Sequence, residues 1–232
     1  MKMDKLSKAV YEANMALERE NLVTLTWGNV SGIDRDSGVV VIKPSGVAYD
    51  KLKPGSMVAV DLDGRRLDGG LKPSSDTPTH AALYKAFPHI GGICHTHSPY
   101  ATAFAQACRE IPCLGTTHAD HFRGAVPLAR ALTREEVHEN YEANTGKVII
   151  ERFTKLDPCE VPGVLCAHHG PFTWGNSPAQ ATENSIALEV IARMALQTLQ
   201  LEPHSIPLPQ HIQDVHFLRK HGPGATYGQE LK

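Results

Sequence analysis

The sequence predicts an α/β fold, with a central sheet flanked by helices. Three observations predict it. Short apolar or β-branched runs of strand length recur along the 232 residues. Longer segments between them carry apolar residues at helical spacing. Many connections hold Gly, Pro or Asp turn signals that suit hairpins, so the sheet should not be purely parallel. No repeat, low-complexity tract or linker divides the chain, and residues 1–232 read as one domain.

Each element has its own signal. Leu6, Val10, Ala13 and Leu17 form one stripe of a helix over 4–20. Val39-Val40-Val41-Ile42 is a strand stopped by Lys43-Pro44-Ser45-Gly46, and Met57–Leu62 is another that turns at Asp63-Gly64. Pro78 opens a helix capped by Thr77 and running to Phe87. The apolar run Ile90–Cys94 is a strand, and residues 99–108 form a helix. Thr133-Arg134-Glu135-Glu136 is a capping box that starts a further helix, and Val148-Ile149-Ile150 reads as a strand. Residues 178–200 carry the longest helical pattern, with Ile186, Val190, Met194 and Leu199 among its apolar members. A last helix near 207–220 ends at His221-Gly222.

Composition narrows the function. Hydrophobic residues make up 41% and charged residues 21%, ordinary values for a globular protein. The net charge of −2 and scattered Lys and Arg argue against a nucleic-acid or anionic-membrane partner. Five cysteines, an odd number without a C-x-x-C pair, favour reduced thiols in a cytoplasmic protein over a disulfide framework or a thiolate finger. No apolar run reaches bilayer-spanning length, and residues 1–20 show no signal-peptide pattern.

The chemistry concentrates in histidines. His95 and His97 flank Thr96 at the end of an apolar run. On a strand they would share a face about 6–7 Å apart, a span one metal ion bridges. A second apolar run ends in His168-His169. Here His169 is the candidate third ligand, with His168 taking its place if the register slips by one. Two segments delivering three imidazoles suit a catalytic zinc with an open coordination position. There is no H-E-x-x-H helix of a zinc hydrolase.

Three small-residue loops suit an anionic ligand: Thr26–Ser31, Lys43–Gly46 and Lys72–Asp76. Small residues allow backbone N–H groups close to a phosphate, and the helix after Ser75 adds its dipole. Lys43 adds a positive charge. Asp76 is either a stabiliser of the following helix, a fourth metal ligand or a base. Asp120, in the polar loop 115–121, is either an acid/base group or a solvated aspartate.

Six strings then carry a resemblance. They are Thr24-Leu25-Thr26-Trp27-Gly28-Asn29-Val30-Ser31, Ile42-Lys43-Pro44-Ser45-Gly46-Val47, Lys72-Pro73-Ser74-Ser75-Asp76-Thr77-Pro78-Thr79-His80, Gly92-Ile93-Cys94-His95-Thr96-His97-Ser98, Gly115-Thr116-Thr117-His118-Ala119-Asp120 and His169-Gly170-Pro171-Phe172-Thr173-Trp174-Gly175. In this order, over nearly the whole chain, they resemble the class II aldolase/adducin family, and within it the sugar-phosphate 4-epimerases. The resemblance implies a three-layer αβα fold with a largely antiparallel sheet, assembled as a homotetramer. It implies a zinc-dependent epimerase, or one using another divalent ion, that interconverts L-ribulose 5-phosphate and D-xylulose 5-phosphate by breaking and re-forming the C3–C4 bond.

By the same resemblance, His95, His97 and His169 are metal ligands and Asp76 is an additional one. Gly28, Asn29, Ser45, Gly46, Ser74 and Ser75 match the substrate and phosphate loops, with Lys43 beside them. Asp120 matches one acid/base residue. Tyr227, anchored by Gly228-Gln229, matches the other and comes from a neighbouring subunit; with an ordinary pKa of ~10 it suits a proton donor. Thr116, Glu142 and His216 fall where the family carries further site residues. His168 departs from the serine usual at that position, and the tail has one tyrosine where relatives often have two. The alternatives are a class II sugar-phosphate aldolase that releases its fragments and a non-catalytic adducin-like scaffold. Aldolases of the family usually carry Glu at the position of Asp76 and lack the T-T-H-A-D loop.

Overall fold

The computed structural model describes residues 2–67 and 69–225. Among them the chain runs α1 (Lys2–Arg19), β1 (Asn29–Asp34), β2 (Val39–Ile42), β3 (Val58–Val60), α2 (Thr77–Ala86), β4 (Gly92–His95) and α3 (Pro99–Gln106). It continues through α4 (Thr116–Ala119), β5 (Leu128–Ala129), α5 (Arg134–Arg152), β6 (Gly163–Cys166), β7 (Pro171–Gly175), α6 (Pro178–Leu201) and α7 (Gln210–His221). The seven strands form one sheet in the order β3-β2-β1-β4-β7-β6-β5. Every neighbouring pair is antiparallel except β5 with β6.

Helices cover both faces of the sheet, giving the expected three layers. Val30 and Cys94 face Leu17 of α1 and Ala181 of α6. Ile33, Val40 and Ile93 face Leu83 and Tyr84 of α2. Fully burying such a side chain contributes about 1.5–3 kcal/mol. Both faces are dry, so β1 shows no apolar/polar alternation. Its Ser31 is buried but satisfied, with Oγ 2.7 Å from His80 Nδ1 and 2.8 Å from the Tyr84 hydroxyl. Gly92 marks the closest approach of sheet and helix: a Cβ there would lie 2.4 Å from backbone atoms of Ser177 and Pro178. Only glycine lets the start of α6 rest on β4.

Three local expectations are corrected. Val148-Ile149-Ile150 is the last part of α5, not a strand. The capping box forms as expected, with Glu136 N donating to Thr133 Oγ1 and Thr133 N donating to the Glu136 carboxylate. The helix it starts continues through the β-branched triplet, because Val148 and Ile149 find burial on a helical face. Thr77 is the first residue of α2 rather than its cap, and Asp76 is the N-cap residue without a side-chain capping bond. Within the 115–121 loop, Thr116–Ala119 forms one helical turn.

Candidate metal centre

β1 and β4 pair Asn29 with His95 at one end of the sheet. α2 begins at the same end, which brings Asp76 to Asn29, whose amide donates to Asp76 Oδ2 at 2.6 Å. His95 is the last residue of β4, so His97 does not share a strand face with it: the strand stops and the chain turns. The turn brings the two rings closer than a strand would, with their Nε2 atoms 3.1 Å apart. His169 stands in the turn between β6 and β7, not on a strand. Cys166 N donates to Gly170 O and His169 N to Cys166 O, a tight reversal that selects His169 over His168. His168 takes a left-handed conformation, φ +62°, and points away to the thiol of Cys108, 3.3 Å from Nε2.

The three imidazoles offer nitrogen atoms that all lie within 4.8 Å of one another. His95 Nδ1 donates to Pro171 O at 2.9 Å, leaving Nε2 with its lone pair toward the other two rings. The His95 ring also stacks on Phe172, centroids 4.1 Å apart. Burial, then His95 and His97, push the His169 pKa down to about 3. Burial, then His95, lowers that of His97 as well. Neutral imidazoles are the form that binds a metal. Asp76 stands beside this trio. Burial would raise its pKa, but His95, His80 and the Asn29 amide outweigh that and hold it ionised.

The histidines open into a cavity of about 420 Å³. Its walls include Gly28, Asn29, Lys43, Ser45, Gly46, Ser74, Ser75, Asp76, Tyr141 and Glu142. The three candidate anion loops therefore meet in one place. The two Lys-Pro-Ser motifs pair with each other: Ser45 N donates to Lys72 O at 2.9 Å and Ser74 N to Lys43 O at 3.0 Å. Lys43 is 2% exposed, its Nζ donating to Thr26 O and lying 4.9 Å from the Tyr49 ring centroid. Burial lowers its pKa to about 8, with Asp76 pulling the other way.

A family profile described as Class II Aldolase and Adducin N-terminal domain matches residues 8–196. The chain belongs to the class II aldolase and adducin family. Its relatives include the L-ribulose-5-phosphate 4-epimerase UlaF of Salmonella paratyphi C, 53% identical over 228 residues that cover 98% of this chain and all of that protein. The UlaF of Salmonella typhi matches at the same identity and coverage. Among solved structures, an L-fuculose 1-phosphate aldolase superposes with TM-score 0.76 at 23% identity, covering 91% of this chain and 94% of that one. YgbL of Klebsiella pneumoniae, described as a putative aldolase/epimerase/decarboxylase, gives 0.72 at 24%, covering 93% and 99%. These two likenesses establish the fold.

Class II aldolases are metal-dependent, and the residues of this member fit a divalent ion. Three imidazole nitrogens converge, a carboxylate stands beside them, and Asn29 Oδ1 is buried without a hydrogen-bond partner among the described residues. The remaining expected residues lie elsewhere. Asp120 is not in the lining of the cavity, nor are Thr116 and His216. Asp120 instead joins α4 to α7: Arg219 Nη2 lies 2.9 Å from both carboxylate oxygens and His216 Nδ1 lies 3.0 Å from Oδ1. These bonds, with Lys220, outweigh burial and keep its pKa low. Tyr227 lies outside the described residues.

Sequence reasoning missed Tyr141 and Tyr49. The Tyr141 hydroxyl is 3.4 Å from His169 Nδ1. Tyr141 reaches the cavity because α5 is kinked at Asn140, φ −169° and ψ 97°, where Asn140 Oδ1 accepts from Ala143 N and restarts the helix. An Asn before a second helical stretch was the available signal. Tyr49 had none, since its partners, the carbonyls of Trp27 and Gly28, are distant in sequence.

Proposed function

We propose that this chain is an L-ribulose-5-phosphate 4-epimerase, an isomerase that interconverts L-ribulose 5-phosphate and D-xylulose 5-phosphate. The observation that carries the reading is the convergence of a three-histidine cluster with three phosphate-type loops in one cavity. The 53% identity to a named epimerase over almost the whole chain favours epimerase over aldolase.

His95, His97 and His169, with Asp76, would hold the ion, and Zn²⁺ suits the nitrogen-rich set. Nitrogen and oxygen donors discriminate poorly between divalent ions by affinity, so another such ion would be held by the same residues. When bound, the ion supplies Lewis-acid stabilisation of the negative charge that develops on the substrate's carbonyl side. The protein does the rest. Lys43, the hydroxyls of Ser45, Ser74 and Ser75, and the Gly28-Asn29 and Gly46 segments hold the phosphate and keep the reacting carbons in place. A base takes the C4 hydroxyl proton, and the C3–C4 electron pair withdraws to C3 as C4 becomes an aldehyde carbon. The aldehyde turns and recombines through its other face, which inverts C4.

Two faces need two acid/base groups, the roles assigned to Asp120 and Tyr227. In a homotetramer, which the family resemblance implies, neighbouring subunits would complete each site; Asp120, Thr116 and His216 lie away from the cavity of their own chain. The exposed apolar residues Val190 and Met194 of α6, with Val215 and Leu218 of α7, supply surface for such contacts. Residues 1–232 act as one catalytic domain. Five free thiols suit a reducing cytoplasm, and no helix among the described residues is long and apolar enough to cross a membrane.

The test is incubation with L-ribulose 5-phosphate, with and without a chelator, followed by product identification. D-xylulose 5-phosphate should form only in the metal-loaded sample. Free glycolaldehyde phosphate with no xylulose 5-phosphate would assign an aldolase instead. Purified protein without stoichiometric metal would assign a scaffold.

A further inference from the structure

We propose that Trp27 retains the cleaved aldehyde inside the cavity and so decides whether bond breakage ends in epimerisation or in fragment release. The proposal rests on the epimerase reading above. Trp27 lines the cavity, and its ring centroid lies 6.2 Å from that of His97, with the planes tilted by 39°. The rest of that wall is dominated by hydroxyls, amides, carboxylates and imidazoles. Trp27 is 51% exposed, so it stands at the rim, between the histidines and solvent.

The indole is mounted on a rigid frame. Lys43 Nζ donates to Thr26 O at 3.0 Å. The Tyr49 hydroxyl lies 2.9 Å from Trp27 O and 3.2 Å from Gly28 O. Trp27 N donates back to Thr24 O. Both anchoring side chains are buried, Lys43 at 2% exposure and Tyr49 at 4%. Three consecutive carbonyls are thus tied into the body, and the main chain that carries the indole is a fixed part of the cavity rim.

The chemistry needs such a wall. Once the C3–C4 pair has moved to C3, glycolaldehyde phosphate is held only by its phosphate and by whatever blocks its exit. The aldehyde must turn about the bond to its phosphate-bearing carbon. A polar wall would hold one orientation by hydrogen bonding, and water at the rim would carry the fragment away. An aromatic face does neither, because it excludes water and presents no directed partner to a carbonyl oxygen. If the aldehyde leaves, the enediolate takes a proton at C3 from solvent and departs as dihydroxyacetone, which completes an aldolase cleavage.

The experiment measures the ratio of glycolaldehyde phosphate to D-xylulose 5-phosphate made from L-ribulose 5-phosphate by metal-loaded, full-length protein. Trp27→Ala and Trp27→Gln should raise that ratio by on the order of tenfold or more, with metal content per chain unchanged. Trp27→Phe, which keeps an aromatic face, should stay near the parent ratio. Leu25→Ala is the control: Leu25 is 73% exposed in the same loop but does not line the cavity, so its ratio should not move. An unchanged ratio in Trp27→Gln or Trp27→Ala overturns the proposal, whatever happens to overall rate. A role in subunit contact alone would alter assembly and leave the ratio fixed, which also overturns it. A parent protein that makes no xylulose 5-phosphate sinks the epimerase reading itself, a failure seen before any variant is compared.

Discussion

The Nε2 atoms of His95 and His97 lie 3.1 Å apart although the two residues do not share a strand face. With the Nδ1 hydrogen of His95 given to Pro171 O, its Nε2 lone pair faces His97 Nε2, which either donates a hydrogen to it or, as the other tautomer, would join it in holding a cation. His97→Asn should therefore weaken metal binding on the order of 100-fold or more and abolish turnover. Metal content after dialysis against a weak chelator checks it. Retained metal and activity would remove His97 from the centre.

Lys43 supplies a pH dependence. Its pKa is lowered to about 8 by burial, so it is charged below that pH and neutral above. A charged Lys43 attracts phosphate, and KM for the sugar phosphate should climb as pH rises past about 8. Lys43→Met should have a high KM at pH 7 and lack this rise. A parent KM flat from pH 7 to 9.5 would contradict the assignment.

His118 supplies a stability term. It is 4% exposed, and burial lowers its pKa to about 4, below the ordinary value near 6.5. The unfolded chain therefore binds a proton more readily. The stabilisation is complete above about pH 6.5 and is lost as pH falls toward 4, by about 3 kcal/mol. His118→Gln, whose amide can still donate to Gly124 O, should show a shallower loss. Urea midpoints between pH 7 and 4.5 read the difference.

Glu189 of α6 caps a different helix. Its carboxylate accepts from Tyr100 N at 2.8 Å and Ala101 N at 2.9 Å, at the start of α3. Ser98, the N-cap residue of α3, makes no side-chain capping bond, so Glu189 does that work from outside. Glu189→Ala should cost about 2–3 kcal/mol, and Glu189→Gln less, because its amide oxygen keeps one of the two acceptors. Thermal denaturation at neutral pH checks both variants.

The strand and helix pattern was readable wherever local signals agreed, as with the stripe of α1 and the capping box of α5. It failed where burial overrode propensity. β1 reads Asn-Val-Ser-Gly-Ile-Asp and looks like a loop, yet all but its last residue are buried because helices cover both faces. Val148-Ile149-Ile150 looks like a strand, yet a nucleated helix carries the triplet into the core.

For the site, the residue types and their order along the chain were set locally. Imidazoles ending apolar runs, small-residue loops and paired Lys-Pro-Ser motifs all show in the linear string. Tertiary structure decided which of them meet. The choice of His169 over His168 hung on one turn between β6 and β7, and the joining of Lys43-Pro44-Ser45 to Lys72-Pro73-Ser74 hung on two backbone bonds. It also placed Asp120 against α7 rather than in its own chain's cavity. The physical reason is range: side-chain chemistry and turn preference act over a few residues, whereas convergence on one point depends on how a sheet buried on both faces stacks segments far apart in sequence.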